Sequence, residues 1–189
     1  MRAGRLETPA LVLHLLALSI ALGSPLFFGA VVAPASFRLL PTRDLAASLQ
    51  SPILTRLCWM LEGGFAVLLA TSWLLARRWN APRALAALMT RAPILGVIGS
   101  VVIEKLLIPP IDRIRAEAPG LIDNLPAADP ARLLLVRYHR LATGFFSVEI
   151  AAAALVLLVT ARLILLRRGA GPTGAARPPV PKLLDLSGV

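Results

Sequence analysis

One apolar stretch near the start of the chain decides the fold: TPALVLHLLALSIALGSPLFFGAVVAPASF, from Thr8 to Phe37. It contains no Asp, Glu, Lys or Arg, and His14 is its only titratable side chain. The hydrocarbon core of a bilayer takes roughly 20 apolar residues of helix to cross, and so long a run is seldom needed inside a soluble domain. The stretch therefore predicts a transmembrane helix from about residue 9 to 33, with a kink expected at Pro25.

A cleaved signal peptide is the alternative interpretation of this stretch, with Arg2 and Arg5 as its basic start. The apolar part of a signal peptide is only about 7–15 residues long. Here the apolar run continues through Phe27 and Phe28 to Val32. We therefore interpret it as an uncleaved transmembrane helix.

The composition of the whole chain agrees with a membrane protein. The 189 residues are 57% hydrophobic, and the mean hydropathy is +0.77. The net charge of +10 could indicate nucleic-acid binding, but the arginines lie mostly in short segments beside apolar runs, where membrane orientation and lipid phosphates explain them. Cys58 is the only cysteine, which excludes an intrachain disulfide and a cysteine metal cluster.

Three further apolar runs predict three more spans, at about residues 57–75, 92–108 and 142–166. The segment from Arg38 to Arg56 is polar enough to predict a loop, with a short helix over residues 42–49. Pro109 and Pro110 are expected to end the third helix, because proline cannot donate a backbone hydrogen bond.

A long fourth helix is predicted to begin at Asp129 and Pro130, which have the residue types of an N-cap and a first helical residue. A helix from Pro130 to Arg168 would be about 58 Å long, which exceeds the bilayer core, so its first part is expected to project beyond the bilayer. The predicted fold class is thus an all-α, four-helix transmembrane bundle with a long projecting fourth helix.

The chain is interpreted as one transmembrane domain, residues 1–168, followed by a flexible Gly/Pro-rich tail, residues 169–189. Four spans place both termini on one side of the membrane. Eleven Lys and Arg residues fall on that side and nine on the other. We expect a multi-pass protein of a bacterial-type plasma membrane, the inner membrane, with both termini in the cytoplasm.

Short motifs resemble those of a known family. The segment LALSIALGSPLFFGAVVAPASF, residues 16–37, resembles the opening helix of the TMEM205-like family, also called DUF4149. Pro109 followed by Ile111 and Arg115 resembles the segment after that family's third helix, and His139 resembles the His that opens its fourth. One departure is Glu104, where the family tends to have Asn.

The resemblance implies a four-helix integral membrane protein with no established biochemical activity. It also implies a loose connection to metal and platinum-drug tolerance, and a distant similarity to copper-resistance membrane proteins.

Three acidic residues, Glu62, Glu104 and Glu149, lie within apolar spans, where a charge at the bilayer centre costs about 2.5–3.5 kcal/mol on insertion scales. Their positions place all three in the same half of the membrane, the outer half in the topology above. Each shares a helix face with small residues, which mark helix–helix contacts in lipid, so each is expected to point into the bundle. The three faces are Glu62 with Ala66 and Ala70, Glu104 with Gly96 and Ser100, and Glu149 with Ala152 and Ala153.

Two interpretations of these acids are open. In one, they pair with nearby basic side chains or stay protonated, and they fix the packing of the bundle. In the other, Glu62, Glu104, Glu149 and His139 form a proton or cation site, with oxygen and imidazole ligands that suit a divalent metal. No cofactor other than such a cation is expected.

No hydrolase triad, zinc-binding helix, phosphate loop or nucleotide-binding motif supports an enzyme, so a non-enzymatic membrane component is predicted. His14 is interpreted as a helix-packing residue near the opposite surface. The lipid bilayer is the expected partner and nucleic acid is not, while a homo-oligomer or a membrane partner is left open.

Overall fold

Four helices in the computed structural model are long and apolar enough to cross a membrane, as the sequence predicted. The structure describes residues 4–118 and 121–169, and every regular element within these ranges is helical. The predicted flexible tail lies outside the described residues except for Gly169, which ends the last helix.

The first and third spans each contain a π-helical turn shortly before a proline. The first consists of α1 (Gly4–Phe27), a π turn (Phe28–Val32) and α2 (Ala33–Leu39). The third consists of α4 (Arg83–Val101), a π turn (Val102–Leu107) and α5 (Ile108–Glu117).

Each π turn ends just before a proline of its span, Pro34 in the first and Pro109 with Pro110 in the third. A proline has no N–H for the carbonyl four residues back, and the π turn pairs carbonyls with N–H groups five residues ahead instead. The N–H of Ile108, for example, donates to the carbonyl of Ile103. The expectation that the two prolines end the third helix is therefore wrong, because this change of hydrogen-bond pattern lets the helix continue.

The second span is a single helix, α3 (Arg43–Arg78), that begins earlier than predicted. The N–H of Leu45 donates to the hydroxyl of Thr42 at 3.1 Å, which caps the first turn. Pro52 lies inside the helix without ending it. The predicted loop over residues 38–56 is therefore wrong, because α3 begins at Arg43 and continues into the second span without a break.

The fourth span, α6 (Pro130–Gly169), has 40 residues. It is therefore about 60 Å long, roughly twice the bilayer core. The N–H of Ala131 donates to Asp129 Oδ1 at 2.8 Å, so Asp129 is the predicted N-cap. The predicted length of this helix is confirmed, and its projection beyond the bilayer stays a prediction.

The four spans form a closed ring, in which α3 contacts α1 and α4, and α6 contacts α4 and α1. The middle of the ring is apolar: Phe65, Leu68 and Val156 have no exposed surface. Large apolar side chains also cover the outside of the helices, including Leu158 and Leu165, each 67% exposed. Such a surface suits lipid, since water penalises exposed apolar patches of this extent.

Both described chain ends lie at one end of the bundle, where Arg167 Nη1 approaches Glu7 Oε2 at 3.4 Å. We call this the terminal end. The opposite end, which we call the cap end, holds the end of α2, the start of α3, α5, a short 3-10 helix (Ile122–Asn124) and the start of α6. The three acids described below lie nearer the cap end than His14 does.

Asp129→Ala is expected to lower the free energy of unfolding by about 1 kcal/mol, because the N–H of Ala131 in the first turn of α6 loses its hydrogen-bond acceptor. The measurement is SDS-induced unfolding in mixed micelles. Glu117→Ala is the matched control, since it removes an exposed acid at the same end of the bundle. An equal loss in both variants would contradict the capping role.

Candidate functional site

Glu149 is an acid enclosed entirely within the bundle. Its side chain, on α6, has no exposed surface. The hydroxyl of Ser100 on α4 donates to Glu149 Oε1 at 2.9 Å. A Cβ placed on Gly99 would lie 2.8 Å from the same oxygen, so the missing side chain at Gly99 makes room for the carboxylate.

Glu104 lies in the π turn of the third span and is 7% exposed. Trp59 on α3 donates its indole N–H to Glu104 Oε1 at 2.7 Å. Lys105 Nζ lies 2.7 Å from the same oxygen and forms an ion pair with it, while 63% of the lysine side chain is exposed. The lysine thus reaches from the surface to neutralise a carboxylate inside the span.

Glu62 on α3 is only half-buried, and the prediction for its helix face is wrong. Ala66 and Ala70, which share that face, are exposed. The buried face of α3 runs through Leu61 and Phe65 instead. Because these larger side chains fill the interior, the alanine face of α3 points to the lipid. Glu62 lies at the edge of that exposed face.

The other two predicted faces are confirmed. Gly96, Ser100 and Glu104 are all buried, as are Glu149, Ala152 and Ala153. The charges of the three acids interact, since Glu62 lies within electrostatic range of both Glu104 and Glu149. The convergence of all three carboxylates inside the bundle stays a prediction.

His139 does not join the three acids. Its side chain is exposed on the projecting part of α6, where it lines a separate cavity with Arg115 and Arg140. Within residues 4–118 and 121–169, no group of three or more His, Cys, Asp or Glu is arranged to hold a metal ion. The site of Glu62, Glu104, Glu149 and His139 stays a prediction, and His139 is the member that the fold keeps apart.

Each of the three carboxylates has one buried oxygen without a hydrogen-bond partner in the described part of the chain. These atoms are Glu62 Oε1, Glu104 Oε2 and Glu149 Oε2. A buried polar atom without a partner costs free energy. Protonation or a bound cation would relieve that cost.

A second polar contact lies nearer the terminal end, around His14, which has no exposed surface. His14 Nδ1 lies 3.0 Å from Thr71 Oγ1, and Nε2 lies 3.0 Å from Thr160 Oγ1. The hydroxyl of Thr71 also donates to the carbonyl of Val67 at 2.8 Å. Since that hydroxyl has one hydrogen, it accepts from Nδ1–H, which leaves Nε2 to accept from Thr160. Both nitrogens of the neutral imidazole are therefore hydrogen-bonded.

The sequence assigned His14 to helix packing, which its contacts with the second and fourth spans fit. It did not identify Thr71 and Thr160 as the partners. These are 57 and 146 residues away along the chain. The only available signal was a threonine facing the interior in each of two apolar helices.

A closed ring of four apolar helices with hydrogen-bonded polar groups in its interior defines a multi-pass integral membrane protein. The chain belongs to the family described as "Domain of unknown function (DUF4149)", whose sequence profile matches residues 16–118. This match, a little over half of the chain, covers most of the first span and all of the second and third, and it includes Glu62 and Glu104. Comparisons with curated proteins and with solved structures gave no match.

Proposed function

We propose that this protein is a non-enzymatic membrane component, related to the TMEM205-like proteins, in which intramembrane polar groups hold four helices together. One observation carries the proposal: the polar contacts link all four spans. His14 joins the first span to the second and fourth, Trp59 with Glu104 joins the second to the third, and Ser100 with Glu149 joins the third to the fourth.

The physical setting supports this role for the polar groups. Lipid tails are as apolar as leucine, so helices in a bilayer associate through close packing and interhelical hydrogen bonds. Each such bond contributes on average about 0.6 kcal/mol, and at most about 1.7 kcal/mol. Contacts between each pair of neighbouring spans would therefore select one arrangement of the ring.

The proposal includes a bacterial-type plasma membrane, with the terminal end in the cytoplasm. It is supported by the basic turn between the second and third spans, which carries Arg77, Arg78 and Arg83. Arg77 lies 3.8 Å above the ring of Trp73, an arrangement typical of a membrane–water interface. The proposed partner is the lipid bilayer, and no binding of nucleic acid is proposed. Chemical cross-linking would test for a homo-oligomer or a membrane partner.

A second candidate function is proton or cation binding by Glu62, Glu104 and Glu149. The observation that favours it is the buried, unpartnered oxygen that each carboxylate has in the described part of the chain. Because Lys105 already neutralises Glu104, Glu149 is the acid on which this candidate depends most.

Two substitutions of Glu149 separate the candidates. In Glu149→Gln the amide oxygen can still accept from Ser100, so the structural role predicts nearly unchanged thermal stability. Glu149→Ala leaves a cavity and is expected to cost about 2–4 kcal/mol of unfolding free energy. The measurements are melting in detergent and metal content by mass spectrometry. Stoichiometric metal in the wild type that disappears in Glu149→Gln, with unchanged melting, would favour the cation candidate.

A further inference from the structure

A cavity of about 590 Å³ lies at the cap end, and none of the three acids lines it. The end of α2, the start of α3, α5 and the projecting part of α6 enclose it. Its size is within the range of small-molecule sites, which are about 300–1,000 Å³. It therefore has room for a ligand of moderate size.

The charged side chains that line this cavity are mostly basic. Four arginines line it, Arg43, Arg115, Arg132 and Arg140, against one carboxylate, that of Asp44. Such a surplus of positive charge is costly to assemble unless an anion compensates it.

The individual arginines have donors to spare. Arg115 Nε is buried and has no hydrogen-bond partner among residues 4–118 and 121–169. Arg132 uses Nη1 to donate to the carbonyl of Leu125 at 2.8 Å, which fixes the side chain and leaves its other N–H groups available. An arginine has five N–H donors, so the cavity presents an unsatisfied set of donors to an anion.

Apolar side chains also line the cavity. These include Phe37, Ile111, Leu135 and Val136, and Phe37 and Val136 remain 45% and 42% exposed. The cavity lies beside the end of the first span and the start of α6, and we place it at the level of the membrane–water interface. A ligand that suits both kinds of lining side chain has an anionic group and an adjoining apolar group.

We propose that this cavity binds an anionic phospholipid, with the arginines on the phosphate and the apolar side chains against the glycerol and the first acyl carbons. Arginine is the side chain best suited to phosphate, because its planar guanidinium binds two oxygens at once. Basic pockets between membrane helices bind lipid headgroups on the same principle. A free phosphate has the same anionic group, but it would leave the apolar side chains of the cavity without a contact.

The test measures lipid binding to the full-length, delipidated protein in detergent by native mass spectrometry. Phosphatidylglycerol is compared with phosphatidylcholine of the same acyl chains. The pocket variant is Arg43→Gln with Arg140→Gln, and the matched control is Arg113→Gln with Arg137→Gln. All four arginines are exposed and lie at the cap end, but the control pair does not line the cavity.

Wild type and the control are expected to bind phosphatidylglycerol more tightly than phosphatidylcholine. The pocket variant is expected to bind phosphatidylglycerol at least about tenfold more weakly, the loss typical of a hydrogen bond to a charged group. Equal weakening in both variants would mean general attraction to a basic surface and would overturn the proposal.

A second comparison distinguishes the lipid from a free phosphate. Phe37→Ala removes apolar lining at an exposed position, so it is expected to weaken phosphatidylglycerol binding severalfold. sn-Glycerol 3-phosphate, which has the phosphate but no acyl chains, is expected to compete poorly. If it binds the wild type as tightly as the lipid does, the occupant is a water-soluble phosphate and the lipid assignment is wrong.

Discussion

Gly96→Ala is expected to lower the free energy of unfolding by about 1–3 kcal/mol, the usual cost of overpacking a core. A Cβ on Gly96 would overlap three ring carbons of Phe65, a side chain with no exposed surface. The ring cannot move aside, because Leu61, Leu68 and Val156 belong to the same buried cluster. SDS-induced unfolding in mixed micelles measures the loss.

The sign of this effect makes the test sharp. Alanine is the better helix former by about 1 kcal/mol, so a glycine with open space around it should gain from the same change. Gly63→Ala is the matched control, since nothing lies within 4 Å of its Cβ position. Adding Phe65→Leu to Gly96→Ala should recover part of the stability. Equal gains from both glycine substitutions would contradict the close contact between α3 and α4.

His14→Ala is expected to cost about 2–4 kcal/mol, because it leaves a buried cavity and removes two interhelical hydrogen bonds. Thr71 still donates to Val67 in the variant, whereas no other hydrogen bond of the Thr160 side chain is present in the described part of the chain. The bundle should therefore melt at lower temperature while its helix content is retained.

A double-mutant cycle separates the energy of the His14–Thr160 hydrogen bond from the cost of the cavity. Thr160→Val keeps the shape of the side chain but removes its hydroxyl, so its effect should shrink once His14 is absent. Ser19→Ala is the control in the first span, because the Ser19 hydroxyl is exposed and bonds only to the carbonyl of Leu15. Strict additivity of His14→Ala and Thr160→Val would contradict a direct bond between the two residues.

The sequence predicted the features that depend on local pattern. Apolar runs located four spans, and the spacing of small residues located the faces of Glu104 and Glu149. For Glu62 the same reasoning failed, because Leu61 and Phe65 compete for the interior and pack more apolar surface there than the alanines can.

Two features depend on geometry that the pattern does not contain. Proline usually ends a helix, and nothing local to Pro109 indicates that a π turn will carry the helix past it. The partners of His14, and the arginines around the cap-end cavity, come together only when distant helices pack. The spacing of these arginines in the sequence cannot reveal a cavity between helices.

The apolar middle of the ring has a consequence for ion movement. On α6, Glu149 and Thr160 are 11 residues apart, which is about 16 Å along the helix. Phe65, Leu68 and Val156 fill the ring without exposed surface, so among residues 4–118 and 121–169 no chain of hydrogen-bonding side chains connects the acids to His14 through them. A proton or ion taken up by the acids would have to leave by the side from which it came. We therefore expect the described helices, in this conformation, to hold a charge that the acids take up rather than to carry it to the terminal end.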